Sequence, residues 1–423
     1  MHVVIIGNGI AGVSAALRLR ERSREIKITL ISGESTYHYS RPALMYLFMG
    51  HMSHRDILPY EDHTWAEKRI ELLRDWVVGI DTAGKQVLLR KQGSLSYDEL
   101  ILATGSVSNK FGWPGQDLPG VQGLYDLFDL RLLEERLPKI RRAVLVGGGL
   151  IGVELAEMLL SRKIPVTFLV REAAFWNVVL PTEESLMVTE LIRHHGIDLR
   201  LSTELEAIHA GPDGTVASVT TKSGDSIAAE FVGLTVGVSP NVALAKHAGI
   251  PCGRGVLVDR KLRSQVPHIW AVGDCAEVVT GEPRNLIQQV WYTGRFQGEH
   301  AADGILGDVK NYDSGIWFNS AKFFDLEYQT YGQVNRNDPG EASLFWRHPT
   351  EAIAIRIVHV EGRVIGFNVM GTRFRHRVCE DWLRKRASLD EVLSNLGRAA
   401  FDPEFFARHE KAAVAAWTEG SHS

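Results

Sequence analysis

The sequence predicts an α/β chain of two parallel-sheet units followed by an α+β segment, and three observations predict it. Two glycine clusters, Gly7-Asn8-Gly9-Ile10-Ala11-Gly12 and Gly147-Gly148-Gly149-Leu150-Ile151-Gly152, each stand between an apolar strand-like run and an Ala/Leu-rich helical pattern. Each unit continues into a further apolar run of strand length, the order that parallel strands joined by crossover helices require. From Ile316 onward the text turns aromatic and alternating, the pattern of a mixed α+β segment. The expected architecture is two Rossmann-like dinucleotide-binding domains with a C-terminal α+β domain.

The first unit opens with His2-Val3-Val4-Ile5-Ile6, apolar enough to be buried on both faces of a sheet. A helix expected from Ala11 to Arg20 aims its free N–H groups and positive dipole end at a pyrophosphate lying against Ile10 and Ala11. Gly7 permits the tight turn, Gly9 lets phosphate approach the backbone, and Gly12 lets helix pack on strand. Gly147, Gly149 and Gly152 repeat the arrangement after Ala143-Val144-Leu145-Val146, with Leu150 and Ile151 opening the second helix. One such cluster also serves ordinary strand-to-helix turns; two in the same context make that explanation insufficient.

The second strand of the first unit is expected over Ile26 to Ser32. Glu34, just beyond it, stands where a carboxylate hydrogen-bonds ribose hydroxyls, with a solvated loop glutamate as the alternative. A small antiparallel meander is expected from Trp76 to Tyr97, then a buried strand from Glu99 ending in Ala103-Thr104-Gly105. The turn-rich stretch Asn109 to Gly123 marks a crossing between domains. The second unit runs from the strand Ala143 to Val146 through a helix Glu183 to His195 to a hairpin pattern over Leu205 to Ala229. Residues Leu234 to Pro240 form a second crossing, and Ile269 to Asp274 gives strand, turn and acid. The expected domains are 1–113 with 237–310 for the first nucleotide, 114–236 for the second as an insertion, 311–395 for the α+β domain and 396–423 for a tail. In that tail Phe401, Phe405 and Phe406 favour a packed helix over a partner surface.

At 423 residues, with 45% hydrophobic and 23% charged residues, the chain has ordinary globular composition and room for two or three cores. A formal net charge of -4 carries no polyelectrolyte signal, so no nucleic-acid partner is expected. The three cysteines, Cys252, Cys275 and Cys379, contain no close pair, which argues against a disulfide scaffold, a zinc knuckle or a CxxC redox centre. No metal site is expected. With a strand predicted from His2 no targeting peptide is expected, and no apolar run approaches the ~20 residues that span a bilayer. A cytoplasmic protein without membrane insertion is therefore expected.

Together these residues resemble the two-dinucleotide flavoprotein reductases of the pyridine nucleotide-disulfide oxidoreductase superfamily. The resemblance is to its cysteine-free branch of rubredoxin, ferredoxin and nitrite-reductase-associated NAD(P)H oxidoreductases, and it runs to about residue 395. It rests on both glycine fingerprints, Tyr39-Ser40-Arg41-Pro42, Leu102-Ala103-Thr104-Gly105, Gly237-Val238-Ser239-Pro240-Asn241 and Ala271-Val272-Gly273-Asp274-Cys275-Ala276. It implies FAD at the first fingerprint, with Arg41 and Pro42 beside the phosphates, Ala103, Thr104 and Gly105 closing over the cofactor, and Gly237 in the second crossing. Gly273 and Asp274 would reach the ribityl chain or the pyrophosphate. The second fingerprint would hold NADH or NADPH. Gln289, Trp291 and Trp317 would lie near the flavin ring, with a place in the domain core as the alternative reading for both tryptophans.

Two departures from the family pattern matter. The stretch Ser40-Arg41-Pro42-Ala43-Leu44 has no cysteine, which argues against thiol chemistry on the flavin. Counting forward from Arg41, the position of the family's lysine near the flavin falls on Tyr46, while its carboxylate partner is kept as Glu154. Tyr46 and Glu154 are the candidate catalytic groups; core packing is the alternative for Tyr46, and a buried Glu154 without its lysine should have a raised pKa. At the end of the second-unit strand Val170 replaces the acid usual in NAD sites and Arg171 follows, which favours NADPH although Glu172 comes next. The function expected is electron transfer from NAD(P)H through FAD to a small rubredoxin- or ferredoxin-like protein, with a homodimer as the candidate assembly. The alternative is a redox-responsive FAD- and NAD(P)H-binding interaction protein with slow turnover.

Overall fold

The computed structural model describes residues 1–336, 338–401 and 407–420; Phe405 and Phe406 lie outside them. It divides into two compact units. The first comprises Met1–Phe111, Gly123–Pro138 and Val236–Ser314; the second comprises Gly112–Gln122, Lys139–Thr235 and the chain from Gly315 on.

The first unit is built on a five-stranded parallel sheet in the order Ile269–Ala271, Glu99–Leu102, His2–Ile6, Lys27–Ile31, Ile70–Leu73. Val3, Val4, Ile5, Leu100 and Ile101 are wholly buried, as strands covered on both faces must be. Helix Ile10–Arg22 packs on helix Trp291–Ile305 at backbone distance: a Cβ on Gly298 would sit 2.1 Å from the carbonyl oxygen of Ala11. The expected meander is present as Val77–Asp81, Gln86–Leu89 and Gly93–Ser96. The edge strand Ile70–Leu73 has no counterpart in the sequence reading, because four residues are too few for a period to declare itself.

Residues 123–138 pack in the first unit, although the boundary read at residue 114 puts them with the second nucleotide fold. They carry helix Leu127–Arg136, whose buried Leu127, Leu130 and Leu133 mark an apolar stripe. Such a stripe says that a helix is covered, but not by which core.

The second unit holds a five-stranded parallel sheet in the order Asp198–Arg200, Val166–Leu169, Ala143–Val146, Phe231–Leu234, Val121–Gln122. It also holds an antiparallel sheet in the order Phe318–Phe323, Leu326–Gly332, Arg363–Met370, Ala354–Val360, Glu341–Arg347. Helices His376–Lys385 and Leu389–Asn395 cover this sheet through Cys379, Trp382 and Val392. In the tail, helix Glu410–Gly420 adds Ala413 and Trp417 to the same core. No helix among the described residues is long and apolar enough to cross a membrane.

Candidate dinucleotide sites

The first fingerprint loop lines a cavity of about 520 Å³ within the first unit. Gly7 has φ +113, and a Cβ there would lie 2.1 Å from the carbonyl oxygen of Ala103, so only glycine fits between strand and helix. A Cβ on Gly12 would meet the Gly7 carbonyl oxygen at 2.0 Å, whereas one on Gly9 would face open space. Gly9 caps helix Ile10–Arg22 with extended backbone and no side-chain cap is present, so the first-turn N–H groups are left for a ligand. Ile10, Ala11, Ala103, Thr104 and Gly105 all line the cavity. A cradle open at one glycine and closed at its neighbours, in a cavity of ligand size, fits a dinucleotide.

Glu34, Arg41 and Pro42 also line this cavity. The Glu34 carboxylate accepts hydrogen bonds from the Tyr39 hydroxyl, from Arg41 Nη2 at 3.0 Å and from the Leu127 N–H at 3.1 Å. It is therefore committed to protein donors as well as facing the cavity, and is no solvated loop residue. Arg41 donates to the Tyr125 carbonyl at 2.9 Å and lays its guanidinium 4.6 Å from the centre of the Tyr125 ring. The Tyr125 hydroxyl accepts from the Ser106 N–H at 2.8 Å and lies 3.4 Å from Asp274 Oδ2.

Asp274 follows Gly273, whose φ of +72 and N–H bond to Gln297 Oε1 at 2.8 Å shape the turn. Ser106 donates its hydroxyl to Asp274 at 3.1 Å and accepts from Gln289 Nε2 at 2.8 Å. Burial raises the Asp274 pKa against the lowering effects of the Ser106 bond and the Arg41 charge. Burial and the charge of Asp126 push Asp129, which accepts from the Tyr125 N–H at 2.7 Å, up to about 6. Trp291 lines the cavity at the start of its helix with 48% of its surface exposed. Gly237, at φ +86, turns the chain and accepts from the Asn109 N–H at 3.1 Å without lining the cavity.

Tyr46 sits half-buried in helix Leu44–Met49 against the His51 ring, centroids 6.3 Å apart, and does not line the cavity. Trp317 belongs to the second unit, immediately before strand Phe318–Phe323. Conversely, Ser106 and Tyr125 are central to the network and absent from the sequence candidates. Tyr125 directly precedes Asp126, which caps helix Leu127–Arg136 by accepting from two N–H groups. An Asp placed before an apolar helical stripe was the available signal.

In the second unit the second fingerprint repeats the geometry. Gly147 has φ +109, a Cβ on Gly149 would meet nothing within 4 Å, and helix Leu150–Ser161 starts at Gly149 without a side-chain cap. A Cβ on Gly152 would lie 2.9 Å from Thr235 Oγ1. Just after the neighbouring strand Val166–Leu169 comes the fully buried Val170, followed by Arg171, 74% exposed and bonded through Nε to Glu172 at 2.6 Å. Glu154 lies one turn inside the helix that Leu150 and Ile151 open; burial, with the charge of Glu157, pushes its pKa up to about 7.

A model of the pyridine nucleotide-disulphide oxidoreductase family matches residues 1–298. The chain is 33% identical over 331 residues to the rhodocoxin reductase of Rhodococcus erythropolis, 76% of each protein. It is 28% identical over 393 residues to the NAD(P)H nitrite reductase of Bacillus subtilis, covering 92% of this chain and 48% of that protein, so it spans about half of that relative's length. A solved ferredoxin reductase from Rhodopseudomonas palustris superposes with a TM-score of 0.79 at 26% identity, covering 87% of this chain and 91% of that one. The chain belongs to the pyridine nucleotide-disulphide oxidoreductase family and is a FAD-dependent NAD(P)H oxidoreductase.

Proposed function

We propose that this oxidoreductase draws electrons from NADPH bound at the Gly147 fingerprint and, with FAD held at the Gly7 fingerprint, delivers them to a small rubredoxin- or ferredoxin-like protein. The observation that carries this reading is that the dinucleotide cavity has a full complement of phosphate- and hydroxyl-binding groups but, among the described residues, no cysteine in its lining. Cys275, next to Asp274, is wholly buried and bonds backbone carbonyls. Reducing equivalents then have no thiol in this cavity to enter, and an outside acceptor is required. The likeness to a rhodocoxin reductase supports an acceptor that is itself a redox protein.

The N–H groups of helix Ile10–Arg22 receive the pyrophosphate, with Gly9 allowing its approach. Asp274 accepts from the ribityl hydroxyls, held in aim by Ser106 and Tyr125. Glu34 receives the adenosine ribose, while its bond to Arg41 fixes both side chains. Bound FAD supplies the exchange between two-electron and one-electron chemistry. Trp291, partly exposed, lines the cavity together with Gln289.

NADPH is favoured over NADH because Val170 offers no carboxylate to a ribose diol and Arg171 is exposed beside it. Glu172 shares that guanidinium, so the preference is a modest one. Anaerobic titration with each nucleotide, followed by the flavin absorbance, tests the donor; cytochrome c reduction with and without added rubredoxin or ferredoxin tests the acceptor. Bleaching by NADPH at lower concentration than by NADH, and cytochrome c reduction only with the added carrier, are expected. Rapid turnover with oxygen or a disulfide and none with a carrier protein would overturn the acceptor reading.

A further inference from the structure

The segment after Val170 carries Arg171 and Glu172, the pair proposed to select the nicotinamide nucleotide, and side chains of the antiparallel sheet and the chain just beyond it hold its conformation. Trp176 has φ +59, a left-handed conformation that bulky residues seldom adopt. Its ring is fixed edge-on against Phe323 at 5.4 Å and Tyr328 at 5.8 Å, both on the antiparallel sheet. Asn335, just beyond strand Leu326–Gly332, donates from Nδ2 to the carbonyls of Asn177 at 3.3 Å and Leu180 at 3.0 Å.

The helix that follows, Thr182–His194, is anchored to the same sheet. Arg356 pairs with both oxygens of the buried Glu184 at 2.8 and 2.9 Å and with Glu183 at 2.6 Å. Asn368 donates to Glu184 at 3.1 Å. On its other side the segment reaches the fingerprint. Phe175, wholly buried, packs on Phe168 with ring centres 5.4 Å apart, and a Cβ on Gly148 would lie 3.6 Å from the Phe175 ring. Residues 175 and 176 therefore carry one ring toward the glycine loop and the next toward the sheet.

We infer that Trp176 is a positioning residue for the nicotinamide nucleotide, through which the C-terminal antiparallel sheet holds the segment 171–180 in its binding conformation. The inference rests on the reading of the Gly147 fold as the nicotinamide site. It gives the sheet a task in donor recognition, in addition to any part in acceptor binding. A segment held in a left-handed turn by distant rings would relax when the ring is cut back, and Arg171 and Glu172 would lose their place.

The test is isothermal titration of the FAD-loaded protein with NADP⁺ and with NAD⁺. Trp176→Ala should weaken NADP⁺ binding about tenfold, with FAD content and flavin spectrum unchanged, and Trp176→Phe should restore it to about the wild-type value. Asn335→Ala, which keeps the rings in contact, should weaken it about threefold and serves if Trp176→Ala fails to fold. Unchanged NADP⁺ binding in a folded Trp176→Ala or in Asn335→Ala would overturn the inference and leave the nicotinamide site standing. Loss of FAD along with NADP⁺ would also overturn it, by making the residue a general support of the fold. If the wild-type protein binds neither nucleotide, the site itself is misassigned and the inference falls with it.

Discussion

Replacing Glu154 by Gln isolates the effect of a largely buried acid that has no basic partner among the described residues. Burial first, then the charge of Glu157, raises the Glu154 pKa from 4.5 to about 7, so the folded chain holds this proton more tightly than the unfolded one. For an acid shifted upward the sign is a penalty: it is absent below pH 4.5, where both states are protonated, grows through the interval, and is complete above pH 7. At 1.36 kcal/mol per unit, the penalty differs by about 2.5 kcal/mol between pH 5 and pH 8. Glu154 keeps some contact with solvent, which screens it, and about 2 kcal/mol is expected. Glutamine carries no such titration. Glu154→Gln should therefore leave stability little changed at pH 5 and raise it at pH 8, by a few degrees in the thermal midpoint of the nucleotide-free protein. Midpoints for both proteins at pH 5, 6.5 and 8 measure this directly. A wild-type to variant difference that is the same at pH 5 and pH 8 would refute the reasoning, because Glu154 would then titrate as an ordinary carboxylate.

The second and third glycines of the first fingerprint should separate folding from binding. Gly9→Ala places its Cβ in open space and should leave the apoprotein midpoint unchanged while weakening FAD about tenfold or more, whereas Gly12→Ala meets backbone at 2.0 Å and should yield little folded protein. Arg171→Ala should weaken NADPH by about 1 kcal/mol and spare NADH, while Glu172→Gln, by freeing the guanidinium, should tighten NADPH; equal effects on both nucleotides in steady-state KM would rule out that assignment. Arg356→Met leaves Glu184 buried and unpaired and should cost about 3–5 kcal/mol in denaturant unfolding, most of it recovered in the double variant Arg356→Met with Glu184→Met.

Much of the fold and part of the site were legible from residue order, and the division has particular causes. Strands His2–Ile6 and Ala143–Val146 match their expected bounds, because runs buried on both faces carry no other pattern. The close contact at Gly12 was legible because its partner, the Gly7 carbonyl, lies in the same loop, whereas the contact that reserves Gly7 is made by Ala103 at the end of another strand, Glu99–Leu102. Tyr46 is the contrary case. Counting from Arg41 fixes its place in the chain, yet helix Leu44–Met49 sets it beside His51 and outside the cavity. Glu34 was located correctly at the strand end, but its commitment to Arg41, Tyr39 and Leu127 depends on helix Leu127–Arg136 belonging to the first unit.

By itself the sequence determined that two glycine fingerprints each stand between a strand and a helix, that an α+β segment follows, and that the three cysteines contain no close pair. These are properties of local pattern: glycine spacing, apolar period and the absence of a residue type. Only the tertiary structure decided that Ser106, Tyr125, Asp274 and Gln289 form one hydrogen-bonded network, and that Trp176 is held by Phe323 and Tyr328. Those partners are separated by more than a hundred residues in several cases. Periodicity records that a side chain is buried or a turn is tight, while the identity of what covers it is settled only when the whole chain closes around its cores.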